Sequence, residues 1–223
     1  TAYEITYGDW SSDVCSSDLA ADTNGNVFMT GYSMNSGGSY NYATIKYSRD
    51  GAPQWTNRYS DPNGSGEAYA LALDTGGNAF VTGRSGDYAT VKYSNAGAPL
   101  WTNIYDGPGN NGDGALALAM DGSGNVFVTG YSLGKKIGNV DGTFDFATVK
   151  YSGAGVPLWT NRYDGPGHGD DYAFALAVDS SGNVIVGGRS PGGNFWPDYA
   201  TIKYSAAGVP LWTNRFKIGR AHV

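Results

Sequence analysis

The 223 residues include 35 glycines, 17 tyrosines and 6 tryptophans, and 40% are hydrophobic; this composition suits short strands and tight turns and excludes disorder. The formal net charge of −6 gives no electrostatic reason to expect nucleic acid or an anionic membrane as a partner. No apolar run approaches the ~20 residues of a membrane helix, so no membrane insertion is expected, and the lone Cys15 excludes an intrachain disulfide.

In chain order, Thr1 to Tyr7 has neither an initiator methionine nor a signal-peptide pattern. The chain is therefore expected to be the interior of a longer protein. Gly8 to Leu19 (GDWSSDVCSSDL) and Lys217 to Val223 (KIGRAHV) match nothing else in the sequence. Both resemble translated sequencing-adapter DNA, read in opposite orientations. The expectation is a reading frame from an adapter-contaminated metagenomic assembly, truncated at both ends. On that reading Trp10, Cys15 and His222 carry no functional argument, and natural sequence runs from Ala20 to Phe216.

Within that window four blocks recur, in a fixed order. The first is ALALD ending at Asp74, ALAMD ending at Asp121 and ALAVD ending at Asp179; only Ala20-Ala21-Asp22 represents it in the first repeat. The second is GNVFMTG from Gly25, GNAFVTG from Gly77, GNVFVTG from Gly124 and GNVIVGG from Gly182. The third is YATIKYS from Tyr42, YATVKYS from Tyr88, FATVKYS from Phe146 and YATIKYS from Tyr199. The fourth carries Trp55, Trp101, Trp159 and Trp212, at successive spacings of 46, 58 and 53 residues.

Each block is short, rich in β-branched or aromatic residues, and bounded by glycine turns, as strands are. No segment holds a 3.6-residue apolar period for three turns, so helix is not expected. Four strands per repeat at this period predict a β-propeller blade. The repeats fall at residues 20–65, 66–112, 113–170 and 171–216. The small-residue strand should lie innermost, where blades converge. The proline-led tryptophan strand should lie outermost. Lys46, Lys92, Lys150 and Lys203 should lay their stems over aromatic rings. The fold class is thus all-β: four consecutive four-stranded antiparallel blades, an incomplete ring in preference to a closed four-bladed one.

The run DYATxKYSxxGxPLWTNRYDGPGxxxDDYAxALAVDSSGNVxVTG resembles the bacterial SBBP repeat, the seven-bladed β-propeller repeat. The resemblance spans nearly all of Ala20 to Phe216. It implies a propeller within a large secreted or cell-surface bacterial protein. It implies no shared catalytic motif, so no catalytic residue, cofactor-binding residue or metal ligand is carried over.

The chemistry-bearing residues read as follows. Asp22, Asp74, Asp121 and Asp179 recur in every repeat, in Asp-x-x-Gly-Asn turns where the carboxylate can accept backbone amides and the glycine can take a positive φ. A residue needed by every blade is better explained as a turn anchor than as a member of a carboxylate ring. Asp106 with Asp113, and Asp164 with Asp170 and Asp171, could supply oxygen ligands to calcium, although their spacing is not that of an EF-hand. No other cofactor is expected. His168 alone makes neither a triad nor a zinc site. The unrepeated residues Lys135, Lys136, Phe195 and Trp196 lie in the variable inserts, where a protein or glycan ligand would be met. The expected function is a non-catalytic scaffold or recognition module; the alternative is part of a propeller polysaccharide hydrolase or lyase.

Overall fold

A computed structural model of the chain describes residues 15–60, 65–110, 112–135, 142–192 and 197–217. Strands β1–β16 among these residues form four antiparallel sheets of four, each in sequential order. Blade 1 comprises β1 (Cys15–Ala21), β2 (Val27–Met34), β3 (Tyr40–Tyr47) and β4 (Pro53–Tyr59). Blade 2 comprises β5 (Gly66–Leu73), β6 (Ala79–Ser85), β7 (Asp87–Tyr93) and β8 (Pro99–Tyr105). Blade 3 comprises β9 (Gly114–Met120), β10 (Val126–Leu133), β11 (Phe144–Tyr151) and β12 (Pro157–Tyr163). Blade 4 comprises β13 (Tyr172–Val178), β14 (Val184–Pro191), β15 (Pro197–Tyr204) and β16 (Pro210–Phe216). This is the all-β propeller arrangement that the repeats predict.

The first strands β1, β5, β9 and β13 adjoin one another and line the axis. Alanine-rich sequence fits there because bulkier rings would crowd. The fourth strands are the most exposed, and each begins with a proline whose missing N–H costs an edge strand nothing. The strand β1 runs through the adapter-like residues Cys15 to Leu19. Pairing with β2 needs only backbone groups, which any sequence supplies. The Asp18 carboxylate also accepts the Leu71 N–H of blade 2 at 2.8 Å.

The β1–β2 turn is built identically in all four blades. Asp22 Oδ1 accepts the N–H groups of Asn24 and Asn26, both at 2.9 Å, and Oδ2 accepts the Asn26 side-chain amide. Asp74, Asp121 and Asp179 repeat these bonds. The glycine before each asparagine takes φ between +73° and +82°. These aspartates are therefore turn anchors.

Among the described residues, three apolar cores lie between the blades, not within them. Phe28, Tyr42, Trp55 and Tyr59 of blade 1 pack against Ala68, Val81, Val91 and Tyr93 of blade 2. Phe80, Tyr88, Trp101 and Tyr105 meet the same positions of blade 3, and Phe127, Phe146, Trp159 and Tyr163 those of blade 4. One face of a blade thus supplies most of the rings, and the facing one supplies small and β-branched residues with a single tyrosine. Blade 4 presents its ring-bearing face to solvent: Tyr199 is 58% exposed, Trp212 41% and Phe216 70%. The four blades form an open arc.

Candidate functional site

Among the described residues, two clusters of carboxylates arise at equivalent places, one at each of the last two blade junctions. The pairing of Tyr88 with Tyr105 brings the start of β7 beside the end of β8. Asp87 and Asp106 thereby become neighbours. The connection to blade 3 then returns Asp113 to the same place. One oxygen from each of Asp87, Asp106 and Asp113 lies within 4.8 Å of the others. The Phe146–Tyr163 pair does the same for Asp145, Asp164 and Asp171 at the next junction.

The innermost member of each cluster is fully buried. Asp113 accepts the N–H of Gly107 and that of Leu133, the latter at 2.9 Å. Asp171 accepts the Gly165 N–H at 2.6 Å, while its Oδ1 has no hydrogen-bond partner among the described residues. Burial raises the pKa of Asp113, Asp145 and Asp171, because the charged form loses water. Asp171 is pushed up to about 6 by burial, with the nearby carboxylates of Asp164 and Asp145 adding to the rise.

Arginines from the outer strands complete the arrangement. Arg162 donates to Asp145 Oδ2 at 2.7 Å, to the Ser132 carbonyl at 2.9 Å, and to Ser132 Oγ. Arg215 repeats this in blade 4, with Asp198 at 3.2 Å, the Ser190 carbonyl at 2.8 Å and Tyr163 OH at 3.0 Å. In blade 2 the arginine position holds Ile104. On the exposed rim, His168 Nδ1 lies 2.8 Å from Asp164 Oδ2, which raises the histidine pKa.

The chemistry of each trio is that of a hard-oxygen set, suited to a cation such as calcium. Asp106 and Asp113 lie together in one cluster, and Asp164 and Asp171 in the other. Asp170 does not join them; it accepts the Phe144 N–H at 3.1 Å. Sequence reasoning misses Asp87 and Asp145. Their signal is the aspartate that leads the third strand in blades 2, 3 and 4, at Asp87, Asp145 and Asp198. Lys135 is exposed just after β10. Lys136, Phe195 and Trp196 lie outside the described residues.

No protein-family model and no curated protein matches the chain. Solved structures do. The chain is similar to a protein of unknown function from Dyadobacter fermentans, with a TM-score of 0.57 and 10% identity over 92% of this chain and 70% of that one. It is also similar to a protein of unknown function from Bacteroides caccae, with a TM-score of 0.51 and 11% identity over 93% and 84% of the two chains. An α-L-arabinofuranosidase from Clostridium thermocellum matches at a TM-score of 0.47 and 14% identity, over 88% and 71%. At these identities the likeness is one of fold.

Proposed function

We propose that the chain is a non-catalytic propeller module of the SBBP-repeat type, from a secreted or cell-surface bacterial protein, acting as a scaffold or in recognition of a protein or glycan. The observation that carries this reading is how the repeated polar residues are used. The turn aspartates hold turns; Thr82 and Thr90 pair across strands at 2.9 Å, as do Thr129 and Thr148; the lysines, tryptophans and asparagines bind the next blade's backbone. Function in such a module belongs to unrepeated loop residues, among them Lys135, Lys136, Phe195 and Trp196. A glycan array and a polysaccharide-hydrolysis screen on the full chain test the reading. Binding without turnover, weakened by Trp196→Ala, supports it; turnover overturns it.

One observation favours a second reading, a propeller polysaccharide hydrolase. Asp171 is a buried carboxyl with a raised pKa beside Asp145 and Asp164, an environment that suits a general acid. On that reading, turnover in the same screen is lost in Asp171→Asn.

A further inference from the structure

At the junction of blades 1 and 2 a buried lysine meets a side-chain amide. Lys46 is 5% exposed, and its Nζ lies 5.0 Å over the Phe28 ring. From there it donates to the Asn95 main-chain carbonyl at 3.1 Å and to Asn95 Oδ1. Asn95 is held on its other sides as well. Its N–H donates to Asn78 Oδ1 at 3.0 Å, its Nδ2 donates to the Gly76 carbonyl at 3.1 Å, and Trp55 Nε1 donates to its main-chain carbonyl at 3.0 Å. Nδ2 is thus turned to the blade 2 turn, and the oxygen end of the amide to the ammonium.

The lysine is repeated, but the asparagine is not. The position of Asn95, second in the turn between the third and fourth strands, holds Arg49 in blade 1, Gly153 in blade 3 and Ala206 in blade 4. Lys92 and Lys150 donate to the main-chain carbonyls of Gly153 and Ala206, where no side-chain amide stands. Docking one blade on the next needs that carbonyl alone, so packing does not account for the Asn95 side chain. A carboxylate accompanies the lysine in each blade: Asp74 and Asp121 stand 3.4 and 3.6 Å from Lys92 and Lys150, and Asp22 holds the same turn position in blade 1.

We propose that Lys46 and Asn95 become joined by an isopeptide bond in the folded chain, a covalent tie between blades 1 and 2. The Asp22 carboxylate takes one proton from the Lys46 ammonium. The neutral Nζ attacks Asn95 Cγ, so that the Nζ–Cγ bond forms and Oδ1 carries the negative charge of the tetrahedral adduct. The Cγ–Nδ2 bond then breaks as Nδ2 takes a second proton from Nζ. The released ammonia collects the proton held by Asp22 and leaves as ammonium. No oxidant or further reactant enters. An amine and an amide free in water react slowly; held contact supplies effective molarities on the order of 10⁵ M or more. The proposal rests on this junction and is independent of the functional reading above.

Intact mass spectrometry of the full chain, purified folded and then denatured, tests the bond. The chain should be lighter than its sequence by the mass of one ammonia. A tryptic digest should contain a branched peptide that joins Lys46 to Asn95 and is uncut after Lys46. Lys46→Arg keeps the charge but removes the amine, and should restore the full mass; so should Asn95→Ser. Asp22→Asn keeps the oxygen that accepts the turn N–H groups, and should slow bond formation about a hundredfold. Full mass in the unaltered folded chain overturns the proposal, and that measurement needs no variant to fold. So does a deficit that persists in Lys46→Arg, which assigns the lost ammonia to succinimide formation at an asparagine–glycine step such as Asn24–Gly25. An unchanged rate in Asp22→Asn overturns the part given to Asp22.

Discussion

Lys203 Nζ sits 2.8 Å from Asp179 Oδ2, whereas the equivalent Lys92 and Lys150 stand 3.4 and 3.6 Å from Asp74 and Asp121. The difference follows from what else each ammonium serves. Lys92 and Lys150 also donate to a carbonyl of the next blade at 3.0 Å. They lie 4.5 and 4.7 Å over the rings of Phe80 and Phe127. Among the described residues no blade packs over Lys203, and Ile185 replaces the ring beneath it. It therefore closes on Asp179, and that hydrogen bond, with the one from Asn183, holds the Asp179 carboxyl far below the usual range. The lysine is a three-way tie between turn, ring and neighbouring blade.

That tie predicts unequal costs for the same substitution. Asp121→Ala removes the three turn bonds and leaves the Lys150 ammonium buried between blades without its carboxylate. The expected loss is about 2–4 kcal/mol, dominated by the stranded charge. Asp179→Ala removes the same turn bonds but leaves Lys203 free to swing into water. Its expected loss is the smaller of the two. Urea midpoints of the two variants at one protein concentration check the ordering; equal losses would show that the lysine is not part of the tie.

Blade 4 also lacks a bond that its siblings have. Thr82 and Thr129 face Thr90 and Thr148 across the second and third strands, and Thr30 faces Thr44 at 3.1 Å. In blade 4 the partner of Thr201 is Gly187. A Cβ at Gly187 meets nothing within 4 Å. Gly187→Thr should therefore raise stability by about 0.5–1.5 kcal/mol, through a stiffer strand and a restored hydroxyl pair. The neighbouring Gly188→Ala should do the reverse, because its Cβ would lie 2.0 Å from the Tyr172 carbonyl oxygen. Thermal melts of the pair, opposite in sign, are the readout.

Gly188 shows where sequence reading reaches and where it stops. The strand blocks, their order and the small-residue inner strand follow from periodicity and glycine turns, because those are local. The turn aspartates were legible for the same reason. The glycine that ends each GNVFVTG-like block is not explained by any turn. Its cause is a register shift in the inner strand, between Ala68 and Ala70 in blade 2 and Ala173 and Ala175 in blade 4, which presses a carbonyl against the second strand. The carboxylate trios were half legible. Asp106 and Asp113 share a loop, but Asp87 joins them only through strand pairing. Lysine stems over rings were expected in all four blades and occur in the first three, since Ile185 offers no ring in the fourth.

Ser85 supplies a third prediction. Its hydroxyl is buried without a hydrogen-bond partner among the described residues, although the equivalent Ser132 and Ser190 receive Arg162 and Arg215. Two changes coincide there: Ile104 replaces the arginine, and Gly66 stands where Asp113 and Asp171 stand at the later junctions. Ile104→Arg should place a guanidinium on Ser85 and Asp87, gaining about 1 kcal/mol. In a Ser85→Ala background most of that gain should vanish. A double-mutant cycle measures the coupling, and an undiminished gain would mean that the arginine acts elsewhere.

The buried carboxyls and the turn carboxyls titrate with opposite effects on stability. Asp171 moves from an ordinary 3.8 to about 6 in the folded chain. A raised folded value means that its contribution is fully present below about pH 4 and is lost as pH rises through 6. Asp113 and Asp145, also raised, act in the same direction. The turn anchors Asp22, Asp74, Asp121 and Asp179 are all lowered, through their asparagine and backbone hydrogen bonds and the Lys203 bond at Asp179. Their contribution is present above 3.8 and is lost as pH falls below it. Stability should therefore climb by about 1–3 kcal/mol between pH 7 and 5, then collapse below about 4. Asp171→Asn should flatten the upper limb and leave the acid collapse in place. His168 is raised as well, by Asp164, and its contribution is lost only above pH 6.5. His168→Asn, which suits the φ of +46° there as Asn110 does at +54°, should therefore leave the change between pH 4 and 6 intact. Urea midpoints across pH 3 to 8 for the three chains separate these assignments. A limb that survives in Asp171→Asn would assign it to Asp113 and Asp145.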